Sequence, residues 1–116
     1  MGRFVGAVLL DLPGTLNKRV LTTSGYVTPK QAAATFEEVT GEKAGVNQIS
    51  LAQFKSFLPP AAAEELGENM RLIEDPGYYV GEPSDGVDWS VGLVAKHEGL
   101  GKLVTWKDYV TNNFKK

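Results

Sequence analysis

The sequence predicts an α/β fold: a helix, then a β-α-β unit with a short parallel strand pair, then three to four further helices with a long loop. Three observations carry this prediction. A helix-forming stretch between Thr28 and Gly41 has a recognisable start and stop. A β-rich run precedes it at 19–23, and a second follows it at 44–49. Because a helix between two strands favours a parallel pair with a right-handed crossover, the two runs are expected to pair.

The N-terminal segment is predicted to form a packed amphipathic helix that ends at Pro13-Gly14. Its apolar run is too short to cross a bilayer and lacks the cleavage site of a signal peptide. The apolar residues that recur at helical spacing are Phe4, Val5, Val8, Leu9 and Leu12.

The central helix has both ends encoded. Thr28 is a good N-cap, and Pro29 suits the first helical position because its missing N–H is not needed there. Gln31 stands three residues after Thr28 and completes a capping box. Gly41 supplies a left-handed stop.

Further helices follow similar signals. Ser50 with Gln53 opens a short helix, and Pro59-Pro60 ends it and starts another. Asp88 is a candidate cap for a helix over 89–96, and 98–102 is expected to be a turn. Thr105 begins the last helix. A stripe expected to face the core comprises Ala62, Leu66, Met70 and Ile73.

Composition indicates one globular domain over residues 1–116, with 12 basic and 14 acidic residues and no cysteine. The net charge of −2 argues against non-specific binding to nucleic acid or anionic membranes. Disulfides, thiolate metal sites and cysteine nucleophiles are excluded. The cytoplasm is the expected compartment, with secretion without a signal peptide as the alternative.

Nucleotide and catalytic motifs are incomplete. No glycine-rich dinucleotide fingerprint is present, and 81–86 has P-loop glycine spacing without its Lys and Ser/Thr. Tyr26 and Lys30 have the Tyr-x-x-x-Lys spacing of short-chain reductases, but the cap at Thr28 places Tyr26 outside the helix, where we expect it to pack as a staple. His97, the single histidine, is expected to be exposed. No catalytic, cofactor-binding or metal-binding residue is therefore assigned, and no cofactor is expected.

The loop 78–89 is the candidate ligand or partner site. Aromatic faces beside carboxylates suit a sugar or a small polar ligand, although the same residues suit a cover over the core or a protein contact. The candidates are Tyr78, Tyr79, Glu82, Asp85, Asp88 and Trp89.

Three stretches of the chain resemble NmrA-like proteins, which are atypical members of the short-chain dehydrogenase/reductase group, many of them fungal. The stretches are GRFVGAVLLD, NKRVLTTSGYVTPKQAAATFEEVTGEKAG and LVTWKDYV. The resemblance is to the C-terminal, substrate-side region of that family and implies a small domain without its Rossmann half. No catalytic residue can be carried over.

The resemblance implies a non-enzymatic binding or regulatory domain derived from an NmrA-like protein. One alternative is the accessory substrate-binding part of an NAD(P)-dependent reductase. Another is a small fungal immunomodulatory protein that binds cell surfaces. The surface that a missing Rossmann half would cover is expected on helix 4–12 and strand 19–23. A homodimer or another protein partner would hide that surface.

Overall fold

The computed structural model describes residues 1–114, and all regular structure in that range is helical. Six α-helices and one 3-10 helix follow one another along the described chain. They are α1 (Gly2–Leu10), α2 (Pro29–Thr40), α3 (Leu51–Ser56), α4 (Pro60–Glu74), α5 (Gly86–Ala95), the 3-10 helix Glu98–Leu100, and α6 (Trp106–Phe114).

The predicted α/β fold is wrong, since residues 1–114 contain no strand and therefore no β-α-β unit or parallel pair. The β-rich run 19–23 has no regular structure, and its backbone bonds to a side chain instead of a second strand. The N–H of Leu21 donates to Oγ of Ser90 at 2.9 Å. At the second predicted strand, the N–H of Ala44 donates to the carboxylate of Glu37 at 2.8 Å. β-Propensity reflects suitability for a half-buried pleated surface, and it does not supply a pairing partner.

The helices belong to two compact units. One comprises residues 1–46 together with the described residues from Pro83 onward, and the other comprises residues 47–82.

The core of the first unit lies between α1 and α5. Phe4 and Ala7 of α1 are buried against Leu93 and Val94 of α5. Apolar side chains that complete this cluster are Val8, Val20, Leu100 and Leu103. The inward positions of α1 are thus three residues apart, as one face of a helix requires.

Helices α2 and α6 form a second packed pair in the same unit. The indole Nε1 of Trp106 donates to the carbonyl of Ala32 at 3.0 Å, and Val110 is fully buried. Phe36 meets Phe114 edge to face with ring centroids 5.7 Å apart. This geometry is favourable for aromatic pairs, so packing helps to hold α6 against α2.

The second unit is built on α3 and α4. Gly67 of α4 is buried because the side-chain stem of Lys55 lies over it, and a Cβ at that position would collide with the stem. The ammonium of Lys55 pairs with Glu64 at 2.8 Å. The predicted core stripe of α4 is wrong in part, since Leu66, Met70 and Ile73 are 38%, 43% and 45% exposed.

The predicted caps of α2 and α3 are confirmed. Thr28 and Gln31 form a reciprocal capping box, and Gly41 adopts the left-handed conformation with φ of 74°. Ser50 accepts the N–H of Gln53 at the start of α3. The predicted cap at Asp88 is displaced, because α5 begins earlier, at Gly86, and Asp88 lies in its first turn.

Candidate partner-binding surface

One face of α1 is fixed to the rest of its unit. Phe4 is 4% exposed and Ala7 is fully buried. The guanidinium Nε of Arg3 donates to the carbonyl of Leu100 at 2.8 Å, and Gly6 lies against the side chain of Leu100. These contacts set the rotation of the helix about its axis, and they therefore decide which residues face away from the core.

The turn after α1 is also held in place. The hydroxyl of Thr15, a buried residue, donates to the carbonyl of Val8 at 2.9 Å and so folds the chain back on the helix. The ammonium of Lys96 lies 3.2 Å from both carboxylate oxygens of Asp11. Asn17 has a φ of 59°, which asparagine tolerates better than most residues.

The opposite face of α1 is apolar and uncovered in the described chain. Met1, Val5 and Leu9 are spaced four residues apart, which places them on one side of the helix. Six large apolar side chains of segment 1–16 are half exposed or more, and we call this set the N-terminal apolar surface. Its members are Met1 (84%), Val5 (57%), Leu9 (64%), Leu10 (61%), Leu12 (50%) and Leu16 (60%).

The expectation that helix 4–12 and strand 19–23 are the exposed places holds for the first and fails for the second. Val5, Leu9 and Leu12 are exposed as expected. Leu21 is only 8% exposed, because Ser90 holds its backbone against α5. Sequence reasoning missed this contact, because Ser90 lies 69 positions from Leu21.

The predicted ligand loop falls on both compact units. Tyr78, Tyr79 and Glu82 belong to the second unit, where the two tyrosine rings meet edge to face with centroids 5.1 Å apart. Asp85 and Trp89 belong to the first unit, where the carbonyl of Asp85 accepts the N–H of Trp89 at the start of α5. Trp89 is 41% exposed, and Asp88 is exposed beside it in the sequence. The grouping of all six residues into one binding loop stays a prediction.

Two single-residue expectations need correction. His97 was expected to be exposed, yet its side chain is 23% exposed and its Nε2 is buried 3.9 Å from Asp11. The histidine directly follows Lys96, whose ion pair with Asp11 draws this turn against the end of α1. Tyr26 lies outside α2 as predicted, but it is 72% exposed and does not pack as a staple.

A model of the NmrA-like family matches residues 1–110. The chain belongs to the NmrA-like family. No curated protein and no solved structure matched it. The NmrA-like match runs from α1 into α6, so the N-terminal apolar surface lies within it.

The start of α6 in this NmrA-like chain holds a carboxylate with a lowered pKa. The carboxylate of Asp108 accepts from both the backbone N–H and the hydroxyl of Thr105, at 2.9 and 2.7 Å. These hydrogen bonds, together with a smaller contribution from the charge of Lys102, lower the pKa of Asp108 below the usual value of an aspartate. The carboxylate thereby stabilises the start of α6.

No helix among residues 1–114 has both the length and the apolar character needed to span a membrane. Within the same range, no three His, Asp or Glu side chains of this NmrA-like chain are grouped as metal ligands.

Proposed function

We propose that this NmrA-like chain is a non-enzymatic binding domain whose N-terminal apolar surface docks on protein, with a second copy of the chain as the partner. The observation that carries the proposal is the helix α1, which is anchored on one face by Phe4 and Ala7 and apolar on the other. A helix that is apolar on both faces is suited to burial between two structures rather than to a solvent boundary.

The size of the surface supports a dimer. The exposed fractions of its six side chains amount to roughly 700 Å² of mostly apolar area. The largest apolar patch on an ordinary monomer is roughly 300–600 Å², whereas a stable interface covers about 800 Å² on each partner. A two-fold dimer places the same patch on both sides, so it hides twice this area with no second binding surface.

The family adds support for a surface that is normally covered. We place the chain in the C-terminal, substrate-side region of NmrA-like proteins, where a helix of the GRFVGAVLL type adjoins the Rossmann half. That half carries the glycine fingerprint of the dinucleotide site. The present sequence has no such fingerprint, and in our proposal a second copy of the chain covers the N-terminal apolar surface.

The test exchanges one leucine of the surface for lysine. Leu9 is 64% exposed, and burying that part of a leucine contributes about 1–2 kcal/mol. A symmetric dimer contains the residue twice, so Leu9→Lys is expected to weaken association by about 2–4 kcal/mol, or roughly 30–1,000-fold in Kd. Leu72→Lys is the matched control, since Leu72 is a 45% exposed helical leucine in the other compact unit.

Analytical ultracentrifugation of the wild type, Leu9→Lys and Leu72→Lys measures the Kd of dimerisation. Dimerisation that Leu9→Lys abolishes and Leu72→Lys preserves supports the proposal. Equal Kd values for the two variants would place the interface elsewhere. Circular dichroism of both variants shows whether the helices are intact, which separates loss of binding from loss of folding.

A further inference from the structure

A cavity beside the C-terminal end of α5 has a mainly apolar lining and a few polar groups. It has a volume of about 510 Å³ and lies between the last turns of α5, the 3-10 helix Glu98–Leu100 and the residues after it. Val91, Val94, Ala95 and Leu103 form its apolar lining. Small-molecule sites in proteins span roughly 300–1,000 Å³ and are lined mostly by apolar side chains, so the volume and lining are suitable for a ligand.

The turn that shapes the cavity depends on a glycine. Gly101 has a φ of 72°, in the left-handed region, and its N–H donates to the carbonyl of Glu98. This turn directs the chain back, so that Leu103 joins the hydrophobic cluster with Val94 and lines the cavity at the same time. The cavity is therefore bounded by parts of the first unit that its own core holds in place.

His97 contributes a hydrogen-bonding ring to the cavity lining. Its Nε2 is shut off from solvent and lies 3.9 Å from the carboxylate of Asp11, whereas the side chain as a whole is 23% exposed. The exposed part of the imidazole thus belongs to the rest of the ring, which includes Nδ1. Each ring nitrogen of an imidazole can donate or accept a hydrogen bond, depending on which of them carries the proton.

The cavity lining carries two charged side chains of opposite sign, Glu98 and Lys102. A ligand carboxylate that gains from Lys102 is repelled by Glu98, and a ligand ammonium meets the reverse. Either ion must also leave water for a mostly apolar lining, which is unfavourable without a dedicated counter-charge. A neutral polar group avoids this desolvation penalty. It can still form hydrogen bonds with His97, Glu98 and Lys102.

We propose that this cavity binds a neutral, mainly apolar small molecule that carries a hydroxyl or carbonyl group. The apolar body of the molecule packs on Val91, Ala95 and Leu103, and its polar group meets His97, Glu98 and Lys102. This inference does not rest on dimerisation, because none of the cavity residues belongs to the N-terminal apolar surface.

Three probes that share one aromatic body test the charge argument: 2-naphthylmethanol, 2-naphthoate and 2-naphthylmethylammonium. Their Kd values for the full chain are measured by calorimetry at neutral pH. We expect the alcohol to bind about tenfold more tightly than either ion, since only the ions carry the desolvation penalty. Equal or tighter binding of an ion would overturn the proposal, and so would no binding of the alcohol at about 1 mM.

A variant pair locates the site. Ala95→Trp fills the cavity from an exposed position near the end of α5, and it is expected to weaken binding of the alcohol about tenfold or more. Ala34→Trp is the matched control, since Ala34 is an exposed alanine of α2 outside the cavity lining. Helical content by circular dichroism confirms that both variants fold. Unchanged binding in a folded Ala95→Trp variant would refute the assignment of the site.

Discussion

The contact between Ser90 and Leu21 is the strongest single test of the fold. Ser90 is fully buried, and its Oγ accepts the N–H of Leu21 at 2.9 Å while donating to the carbonyl of Gly86 at 2.8 Å. Ser90→Ala removes the hydroxyl and leaves the Leu21 N–H buried without a partner. Such an orphaned donor destabilises by about 1–3 kcal/mol. The carbonyl of Gly86 loses less, because a helical carbonyl also accepts a backbone N–H four residues on.

We therefore expect Ser90→Ala to lower the free energy of unfolding by about 2 kcal/mol, and the Tm by roughly 6–10 °C. The assay is urea unfolding followed by circular dichroism. A second readout is amide hydrogen exchange at Leu21, which should be slow in the wild type, although the residue lies outside any helix, and fast in the variant. Ser84→Ala is the control at an exposed serine, with an expected change within about 0.5 kcal/mol. A Ser90→Ala protein as stable as that control, with slow exchange at Leu21, would refute the reasoning.

Two further substitutions and one ligand titration have defined expected outcomes. Trp106→Phe removes the donor to the carbonyl of Ala32, and it is expected to lower the free energy of unfolding in urea by about 0.5–1.5 kcal/mol. An unchanged free energy of unfolding would contradict this hydrogen bond. Thr105→Val removes the hydroxyl that donates to Asp108, and it is expected to raise the pKa of Asp108 toward the usual value of an aspartate in an NMR titration. Since that pKa is lowered in the folded state, its stabilisation of α6 is present above the unfolded value and is lost as pH falls through the folded one. NADPH is expected to leave the Tm unchanged, because the sequence has no glycine-rich turn for its pyrophosphate, and a shift would contradict the non-enzymatic proposal.

Local sequence signals predicted the helices well. The predicted fold class was wrong because it depended on pairing between residues far apart in the sequence. Each cap of α2 acts within a few residues of its own position: Thr28 bonds with Gln31 at the start, and the N–H of Gly41 bonds with the carbonyl of Glu37 at the end, so local spacing predicts both. The run 19–23 is different, because an extended segment becomes a strand only if another strand is available. Its partner is Ser90, 69 positions from Leu21, and no local pattern encodes that contact.

The candidate site was predicted in part for the same reason. Periodicity identified the apolar positions of the first helix, but it did not distinguish the face that packs on α5 from the face that stays exposed. Phe4 and Val5 both belong to the periodic set, yet they are 4% and 57% exposed. The cavity beside His97 was missed because residues 98–102 look like an ordinary turn. The left-handed Gly101 becomes meaningful only once Leu103 is known to fold back on Val94.

The mass of the wild-type chain in solution shows whether it forms a dimer. Sedimentation equilibrium between about 1 and 100 µM should show a species of twice the 12.5 kDa chain mass, populated increasingly with concentration. We expect this dimer because association removes the exposed side chains of the N-terminal apolar surface from water. A chain that remains at 12.5 kDa across the whole range would contradict it.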